Sequence, residues 1–360
     1  MDAAMTTAAT GATPATRATR RGPLARLRRQ RWLMRIVRAV ITVYVVITIT
    51  FFLIRLLPGD PADVYESQLI QQYSIPAAQA RDMASHLFAI DLNKPIVLQY
   101  VDYIGNLAHG NLGTSILASG TPVTTILGQF VPWTLFSVAI GLLISFVVGT
   151  LLGLVMAYWR ESWLDHALTA FASVFSSVPN YLVGLFILIV VGVQLHWVDL
   201  GSMRGTNSVQ PGFSFAFVGD VLYHGQLIII TYAVTLMGTW MLTMKSNVLN
   251  VLGEDYVTVA KARGLREGRV MRSYVGRNAV LPVVSQLATL IGVLVSSSVL
   301  VETVFAYPGV GWELINSINQ RDYPVMQGGF LVITVIVVLA NLLAETLYGK
   351  LDPRIGSRGR

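Results

Sequence analysis

The chain has 360 residues, of which 54% are hydrophobic and 12% are charged, and its mean hydropathy is +0.60. That balance excludes an ordinary soluble fold and indicates an integral membrane protein. The net charge of +7 lies mostly at the edges of apolar runs, where membrane topology explains it, so we predict no nucleic-acid partner. There is no cysteine, which excludes disulfides and thiolate metal sites.

Six apolar runs reach the ~20 residues that a bilayer core requires. They lie near 36–57, 133–158, 166–195, 226–245, 284–305 and 328–348. Residues 1–35 before them are rich in Ala, Thr and Arg, and we expect a disordered cytoplasmic tail, most clearly over 1–31. Of the 26 basic residues, 21 fall on the side of the two termini and the 246–283 loop. The positive-inside rule therefore predicts six spans with both termini, including the tail 349–360, in the cytoplasm.

The region 58–131 is predicted to be external and is too long for a simple connector. Pro58, Gly59 and Pro61 indicate a turn directly after the first span. Two amphipathic helices are expected near 76–90 and 95–108. The region is interpreted as a small folded cap, as part of a platform for an external protein, or as both.

The transmembrane core, 132–348, carries two local signals before its large loop. Gly149 and Gly153 form a small-xxx-small pair that would let two helices approach closely. In the third run, a proline among polar residues should kink or break the helix at membrane depth. This break is either a packing kink or part of a translocation path. The candidate path residues are Ser176, Ser177, Pro179, Asn180 and, in the fifth run, Ser297.

The most informative stretch is the polar segment between the fourth and fifth runs. Glu254 and Asp255 suit the positive end of a short helix, and Lys261 and Arg263 suit its negative end. Gly264 fits a left-handed residue that ends this helix. A second, basic helix is predicted from about 266 to 278, and Pro282 is expected to open the fifth span near its first turn.

Four motifs carry a resemblance to a known family. The pattern D-Y-V-x-x-A-x-A-x-G-L over 255–265, with Leu-Pro ending eighteen residues after the glycine, resembles the cytoplasmic coupling loop of binding-protein-dependent ABC importer permeases. ETVFAYPGVG at 302–311 followed by RDYP at 321–324, the 86–116 segment and LYGKLDPRI at 347–355 are similar to the dipeptide, oligopeptide and nickel branch. Thr258, Val259 and Ala260 stand where the wider superfamily has Glu-Ala-Ala. The resemblance covers about 36–355.

The resemblance implies an all-α fold of the type I ABC importer permease, with a homologous second permease, two ATPase subunits and an external solute-binding protein as partners. ATP and Mg would be bound by those ATPases, and this chain would hold no cofactor. Peptides are the expected solute, while oligosaccharides, nickel chelates and glutathione stay open. The implied ATPase-coupling residues are Glu254, Asp255, Thr258, Val259, Ala260, Lys261, Ala262, Arg263, Gly264 and Leu265. The implied external gate or docking residues are Tyr307, Pro308, Gly309, Gly311, Arg321 and Asp322.

Catalytic motifs are missing from the sequence. It has no phosphate-binding loop, no HExxH and no Gly-x-Ser-x-Gly, so we expect neither ATP hydrolysis nor a catalytic metal. Two other classes remain as alternatives, an ion-coupled secondary carrier and a membrane scaffold. The spans hold almost no charge at depth, which disfavours the carrier.

Overall fold

The computed structural model describes residues 23–56, 66–67, 69–71, 75–88, 95–118, 120–197 and 214–351. Within this part the regular elements are helical, apart from an isolated antiparallel bridge between Thr114 and Pro122. The predicted turn at Pro58, the 89–94 part of the external motif, the loop 198–213 and the tails 1–22 and 352–360 lie outside the described residues. The chain divides into two compact units, Met1–Ile41 and Thr42–Arg360. All the contacts described in the following paragraphs lie within the second unit.

The described helices have these bounds in the structure. In chain order they are α1 (Pro23–Arg55), α2 (Ala77–Phe88), α3 (Ile96–Ala108), α4 (Val123–Tyr158), α5 (Trp163–Ser177), α6 (Asn180–Ile187, continued by a π-helical segment, Leu188–Gln194), α7 (Phe215–Leu252), α8 (Asp255–Ala262), α9 (Glu267–Arg269, continued by a π-helical segment, Val270–Gly276), α10 (Arg277–Val304), α11 (Val310–Gln320) and α12 (Tyr323–Leu351). Helices α2 and α3 confirm the two amphipathic helices predicted between the first two spans.

Four of the described helices are long and apolar enough to cross a membrane: Trp32–Arg55, Val123–Tyr158, Phe215–Leu252 and Tyr323–Thr346. Two further pairs pass the same test as bent units. Trp163–Ser177 meets Asn180–Gln194 at 106°, and Glu267–Leu287 meets Leu290–Val304 at 50°. The described chain is thus a multi-pass membrane protein with four to six spans.

Helices extend well beyond the predicted apolar runs. Helix α7 continues from both ends of 226–245 and takes in the start of the predicted 246–283 loop, up to Leu252. The two helices predicted inside that loop are present, as α8 and as α9 with its π-helical continuation, which runs directly into α10. Likewise, α1 begins at Pro23 inside the stretch expected to be disordered, which corrects that prediction for 23–35. Hydropathy marks the length that matches the bilayer, whereas a helix continues as long as its backbone hydrogen bonds do.

Helices α4 and α7 pack closely along their length. A Cβ atom on Gly149 would lie 2.7 Å from the Cβ of Trp240, and one on Gly153 would lie 2.6 Å from the carbonyl oxygen of Met241. Both separations are shorter than a van der Waals contact, so a larger residue would push the helices apart. The predicted small-xxx-small contact is confirmed.

Pro282 does not open a helix. It lies inside α10, which begins at Arg277 and follows the π-helical segment without a break. Proline removes one backbone donor from the helix. In the same turn, the Nδ2 of Asn247 on α7 donates to the carbonyl oxygen of Ala279 at 3.3 Å. This contact between α7 and α10 supports a helix that runs through Pro282, whereas the sequence predicted that a new helix would begin there.

Candidate functional site: two motif segments at the ends of the spans

The first motif segment, called here the EDYV segment, runs from Glu254 to Leu265 and is built on α8. Glu254 precedes the helix in an extended conformation, and Asp255 opens it, so two carboxylates lie at its positive end. At the other end, Gly264 has a φ of +73°. The amide of Gly264 donates to Lys261 O at 2.9 Å, and that of Leu265 donates to Ala260 O at 3.4 Å. These bonds form a Schellman motif and confirm the predicted left-handed stop.

One face of α8 packs onto its own chain, and the other is open. Val257 and Ala260 are 1% and 3% exposed and belong to the main hydrophobic core. Val259 is 55% exposed. Thr258, Lys261, Ala262 and Arg263 are exposed with it. Ala260, one of the implied ATPase-coupling residues, faces the core of this chain, so any direct contact with a partner would involve the exposed residues of α8.

The helix α8 is also tied to the following helices. Tyr256 accepts a hydrogen bond from Asn278 Nδ2 through its hydroxyl oxygen at 3.0 Å. Val270 and Val275, in the π-helical segment, are buried in the same core as Val257. A displacement of α8 would therefore be transmitted to α10.

An ion pair joins α5 to α7 at the end of α7 that leads into the EDYV segment. Lys245 Nζ donates to Asp165 Oδ1 at 2.6 Å and to Thr169 Oγ1 at 3.2 Å. The Lys245 and Asp165 side chains are 21% and 8% exposed. Two turns earlier on α7, a Cβ on Gly238 would lie 2.5 Å from the carbonyl oxygen of Ala172 on α5. Close packing and the ion pair together hold these two helices as one body.

The break after α5 lies where the sequence predicts it. Helix α5 ends at Ser177 and α6 starts at Asn180, with Pro179 between them. Ser176, Ser177 and Pro179 are exposed, and both serine hydroxyls donate to the carbonyl oxygen of Ser173. Asn180 Nδ2 donates to Ser297 Oγ on α10 at 3.1 Å. The candidate path residues Asn180 and Ser297 are thus brought together, and the exposed serines lie on the other side of the bend.

The second motif segment, called here the YPG segment, runs from Glu302 to Asp322. Three backbone N–H groups at the start of α11 have side-chain acceptors: Val310 N donates to Thr134 Oγ1 at 2.8 Å, and Gly311 N and Trp312 N donate to Glu302 Oε2 at 2.7 and 3.4 Å. Glu302 is 0% exposed. A Cβ on Gly309 would collide with this carboxylate. The glycine of the motif makes room for a buried carboxylate cap.

Asp322 forms the second joint of the YPG segment. It precedes α12 and accepts a hydrogen bond from the amide of Val325 at 3.4 Å. The same carboxylate accepts from the hydroxyl of Ser115 and from the amides of Ile116 and Leu117, both at 3.4 Å. Asp322 therefore fixes the strand-like loop before α4 to the start of α12.

These contacts change the interpretation of the second motif. Tyr307, Gly309, Gly311 and Asp322 are buried within this chain, so they shape the segment from inside, and the predicted role of this segment as an external gate or docking site stays a prediction. Pro308 and Arg321 are half-buried. The exposed positions nearest to them include Asn319 and Gln320. The buried residues of the YPG segment hold the start of α11 in place.

Four residues that matter here were not among the predicted site residues: Glu302, Thr134, Asp165 and Lys245. Nothing in the sequence singled out Thr134. For Glu302, Asp165 and Lys245 the available signal was a charged side chain within or beside an apolar run, which is costly unless paired. Sequence alone could not pair them, because Asp165 and Lys245 are 80 residues apart. Among the described residues, no three His, Asp or Glu side chains cluster as metal ligands.

Comparison with known proteins agrees with the motifs. Residues 149–357 match the family described as binding-protein-dependent transport system inner membrane component. The di/tripeptide transport system permease protein DppB of Pseudomonas aeruginosa (strain UCBPP-PA14) is 34% identical, covering 87% of this chain and 95% of the relative. The oligopeptide transport system permease protein AppB of Bacillus subtilis (strain 168) is 31% identical over 85% and 93%. The dipeptide transport system permease protein DppB of Escherichia coli (strain K12) is 32% identical over 90% and 98%. The chain belongs to the family of inner membrane components of binding-protein-dependent transport systems.

Proposed function

We propose that this chain is the permease subunit of an ATP-driven importer that moves di- and oligopeptides across the bacterial inner membrane. The named relatives are peptide permeases and match almost their whole length to this chain. The proposed topology has six spans, with each bent pair counted once and both termini in the cytoplasm. The distribution of basic residues supports that orientation.

The partners in this proposal are a homologous second permease, two ATPase subunits that bind ATP and Mg, and an external solute-binding protein. The EDYV segment is the proposed contact with an ATPase. The observation that carries this assignment is the open face of α8, with Val259 55% exposed beside Lys261 and Arg263, on a helix whose other face is fixed in the core. An apolar residue flanked by cations fits a groove with acidic rim groups, where the charges set orientation.

Transport would proceed by alternating access. Closure of the ATPase pair would displace α8, and the displacement would pass to α10 through the shared core and the Asn278–Tyr256 contact. Helix α7 would carry α5 with it through the Lys245–Asp165 pair. The bend at Pro179 joins α5 to α6, and the Asn180–Ser297 contact joins α6 to α10, so we place the path along these contacts.

The proposal is tested by pull-down of the tagged chain in mild detergent, with mass spectrometry of the recovered proteins, followed by peptide uptake into vesicles. We expect a second permease, two ATPases, and ATP-dependent uptake of a dipeptide. Val259→Asp should abolish recovery of the ATPases without lowering extraction, and the control is Thr169→Ser, which keeps the hydroxyl that contacts Lys245 away from α8. Uptake by the chain alone under an ion gradient would establish a secondary carrier, and partner recovery without uptake would establish a scaffold.

Within the same machinery, nickel chelates, glutathione and oligosaccharides are the competing solutes. Uptake assays with a labelled dipeptide and with each competitor in excess separate these cases. Inhibition of dipeptide uptake by other peptides alone supports the peptide assignment, whereas ATP-dependent uptake of a competitor in the absence of dipeptide uptake overturns it.

A further inference from the structure

Helix α3 packs against the last turns of α1 and leaves an apolar face uncovered. Tyr100 lies at the centre of the contact, with its ring 5.2 Å from that of Phe51 and its hydroxyl 2.8 Å from Thr48 Oγ1. Tyr103 stacks on Phe51 at 5.3 Å. At the end of α1, Arg55 Nε donates to Gln99 Oε1 at 3.0 Å.

These contacts give the depth of α3 along the span. The span in α1 ends at Arg55. Phe51 is four residues and Thr48 seven residues before that end, so they lie about 6 and 10 Å along the helix at 1.5 Å per residue. A helix whose tyrosine rings pack at that level lies at the boundary between headgroups and acyl chains, where interfacial helices are buried by about 5–10 Å.

The sequence of α3 divides its surface into two sides beyond the contact with α1. Val97, Leu98 and Val101 are 68%, 53% and 59% exposed. At 3.6 residues per turn they share an arc of about 100°. Asp102 and Asn106 are also exposed and occupy the neighbouring arc. This separation of an apolar from a polar side is the pattern of a helix that lies in a membrane interface.

We propose that α3 lies in the leaflet at the Arg55 end of α1 and binds lipid acyl chains through Val97, Leu98 and Val101. This surface continues the apolar surface of the span itself, where Ile49, Phe52 and Leu53 are 51%, 40% and 56% exposed. A membrane-spanning helix presents such residues to lipid, and α3 is joined to that surface where the ring of Tyr100 stacks on that of Phe52 at 5.5 Å. The inference rests on the membrane location of the family and is independent of the solute.

The absence of cysteine from the chain allows a direct test, because a single introduced cysteine is the only labelling position in this chain, and the unsubstituted complex taken through the same labelling gives the background of the other subunits. Val101→Cys, Asn106→Cys and Leu53→Cys are each labelled with a nitroxide in the full chain, purified with its accompanying subunits and reconstituted in phospholipid nanodiscs. Collision with oxygen, which concentrates in acyl chains, is compared with collision with a water-soluble nickel chelate. All three side chains are exposed, so the labels leave the packing intact.

We expect the oxygen-to-nickel ratio at Val101→Cys to match that of the lipid-facing reference Leu53→Cys and to exceed that of Asn106→Cys several-fold. A ratio at Val101→Cys equal to that of Asn106→Cys would place α3 in water and overturn the proposal. Shielding of Val101→Cys from both reagents would also overturn it, because the face would then be covered by protein. In that case, repeating the measurement with and without the external binding protein tests whether that protein is what covers Val101→Cys.

Discussion

The EDYV and YPG segments differ in what holds them in shape. In the EDYV segment, α8 ends in backbone hydrogen bonds around Gly264, and most of its side chains face outward. In the YPG segment, α11 begins on the buried carboxylate of Glu302 and ends at Arg321, a non-glycine residue with a φ of +58°. The first segment is set by neighbouring residues, whereas the second also depends on partners distant in sequence, since Val310 N donates to Thr134 and Asp322 accepts from Ser115. Two equally recognisable motifs therefore have different physical causes.

The largest expected effect comes from removing the carboxylate under α11. Glu302→Ala leaves the amides of Gly311 and Trp312 without their acceptor in a buried site, at about 1–3 kcal/mol for each donor. We expect a clear fall in the apparent unfolding midpoint in detergent, measured by a thermal shift assay. Glu302→Gln keeps an acceptor oxygen and should lose less. If the alanine variant matched the wild type, the YPG segment would not depend on its buried cap.

Lys245 extends the comparison to a buried contact near the EDYV segment. Lys245→Met leaves Asp165 without its ammonium partner, and breaking such a pair costs about 3–5 kcal/mol when it is fully buried, and less here because Lys245 is part-exposed. The double variant Asp165→Asn, Lys245→Met should recover part of the lost stability, measured by the same thermal shift assay. If the double variant lost as much stability, relative to the wild type, as the two single variants Asp165→Asn and Lys245→Met lose together, the two residues would not interact.

A pair of glycines isolates the local cause in the EDYV segment. Gly264 and Gly268 both have open space at the Cβ position, but only Gly264 has a positive φ. Gly264→Val should cost about 1–2 kcal/mol locally, because a left-handed backbone disfavours a side chain. We expect it to uncouple ATP hydrolysis from uptake in the assembled complex, whereas Gly268→Val keeps coupling. Equal coupling in both variants would remove the helix stop from the mechanism.

The smallest expected effect is a pH dependence within the YPG segment. Burial, together with the nearby Asp322 carboxylate, raises the pKa of Glu313 to about 7. The unfolded chain releases the Glu313 proton at a lower pH than the folded chain does. Protonation of Glu313 therefore stabilises the folded state. This contribution is present below the unfolded pKa and is lost as pH rises to about 7. The midpoint should fall over that range, and Glu313→Gln should flatten the slope. An unchanged slope in the variant would assign the pH dependence to another group.

Local features were predictable from the sequence because they depend on neighbouring residues. The helix at 255–262, its left-handed stop at Gly264, the break at Pro179 and the amphipathic helices α2 and α3 are all set by turn chemistry or by hydrophobic period. The close approach at Gly149 and Gly153 was also predictable, since small residues four apart share one helix face. The roles predicted for these residues stay predictions, and sequence did not show which of them, such as Ala260, face the core of this chain.

Sequence by itself determined that this is a multi-pass helical membrane protein, which family it belongs to, and that its third apolar run breaks at Pro179. Only the tertiary structure decided that Glu302 caps α11, that Asp322 fixes the 115–117 loop, and that Lys245 pairs with Asp165. The physical reason is that a charge in an apolar environment needs a partner. The amino-acid sequence does not say which of the many other polar groups will lie within hydrogen-bond distance of it. Spatial proximity is set by helix packing, and that packing also decides which motif residues face solvent and which support the fold.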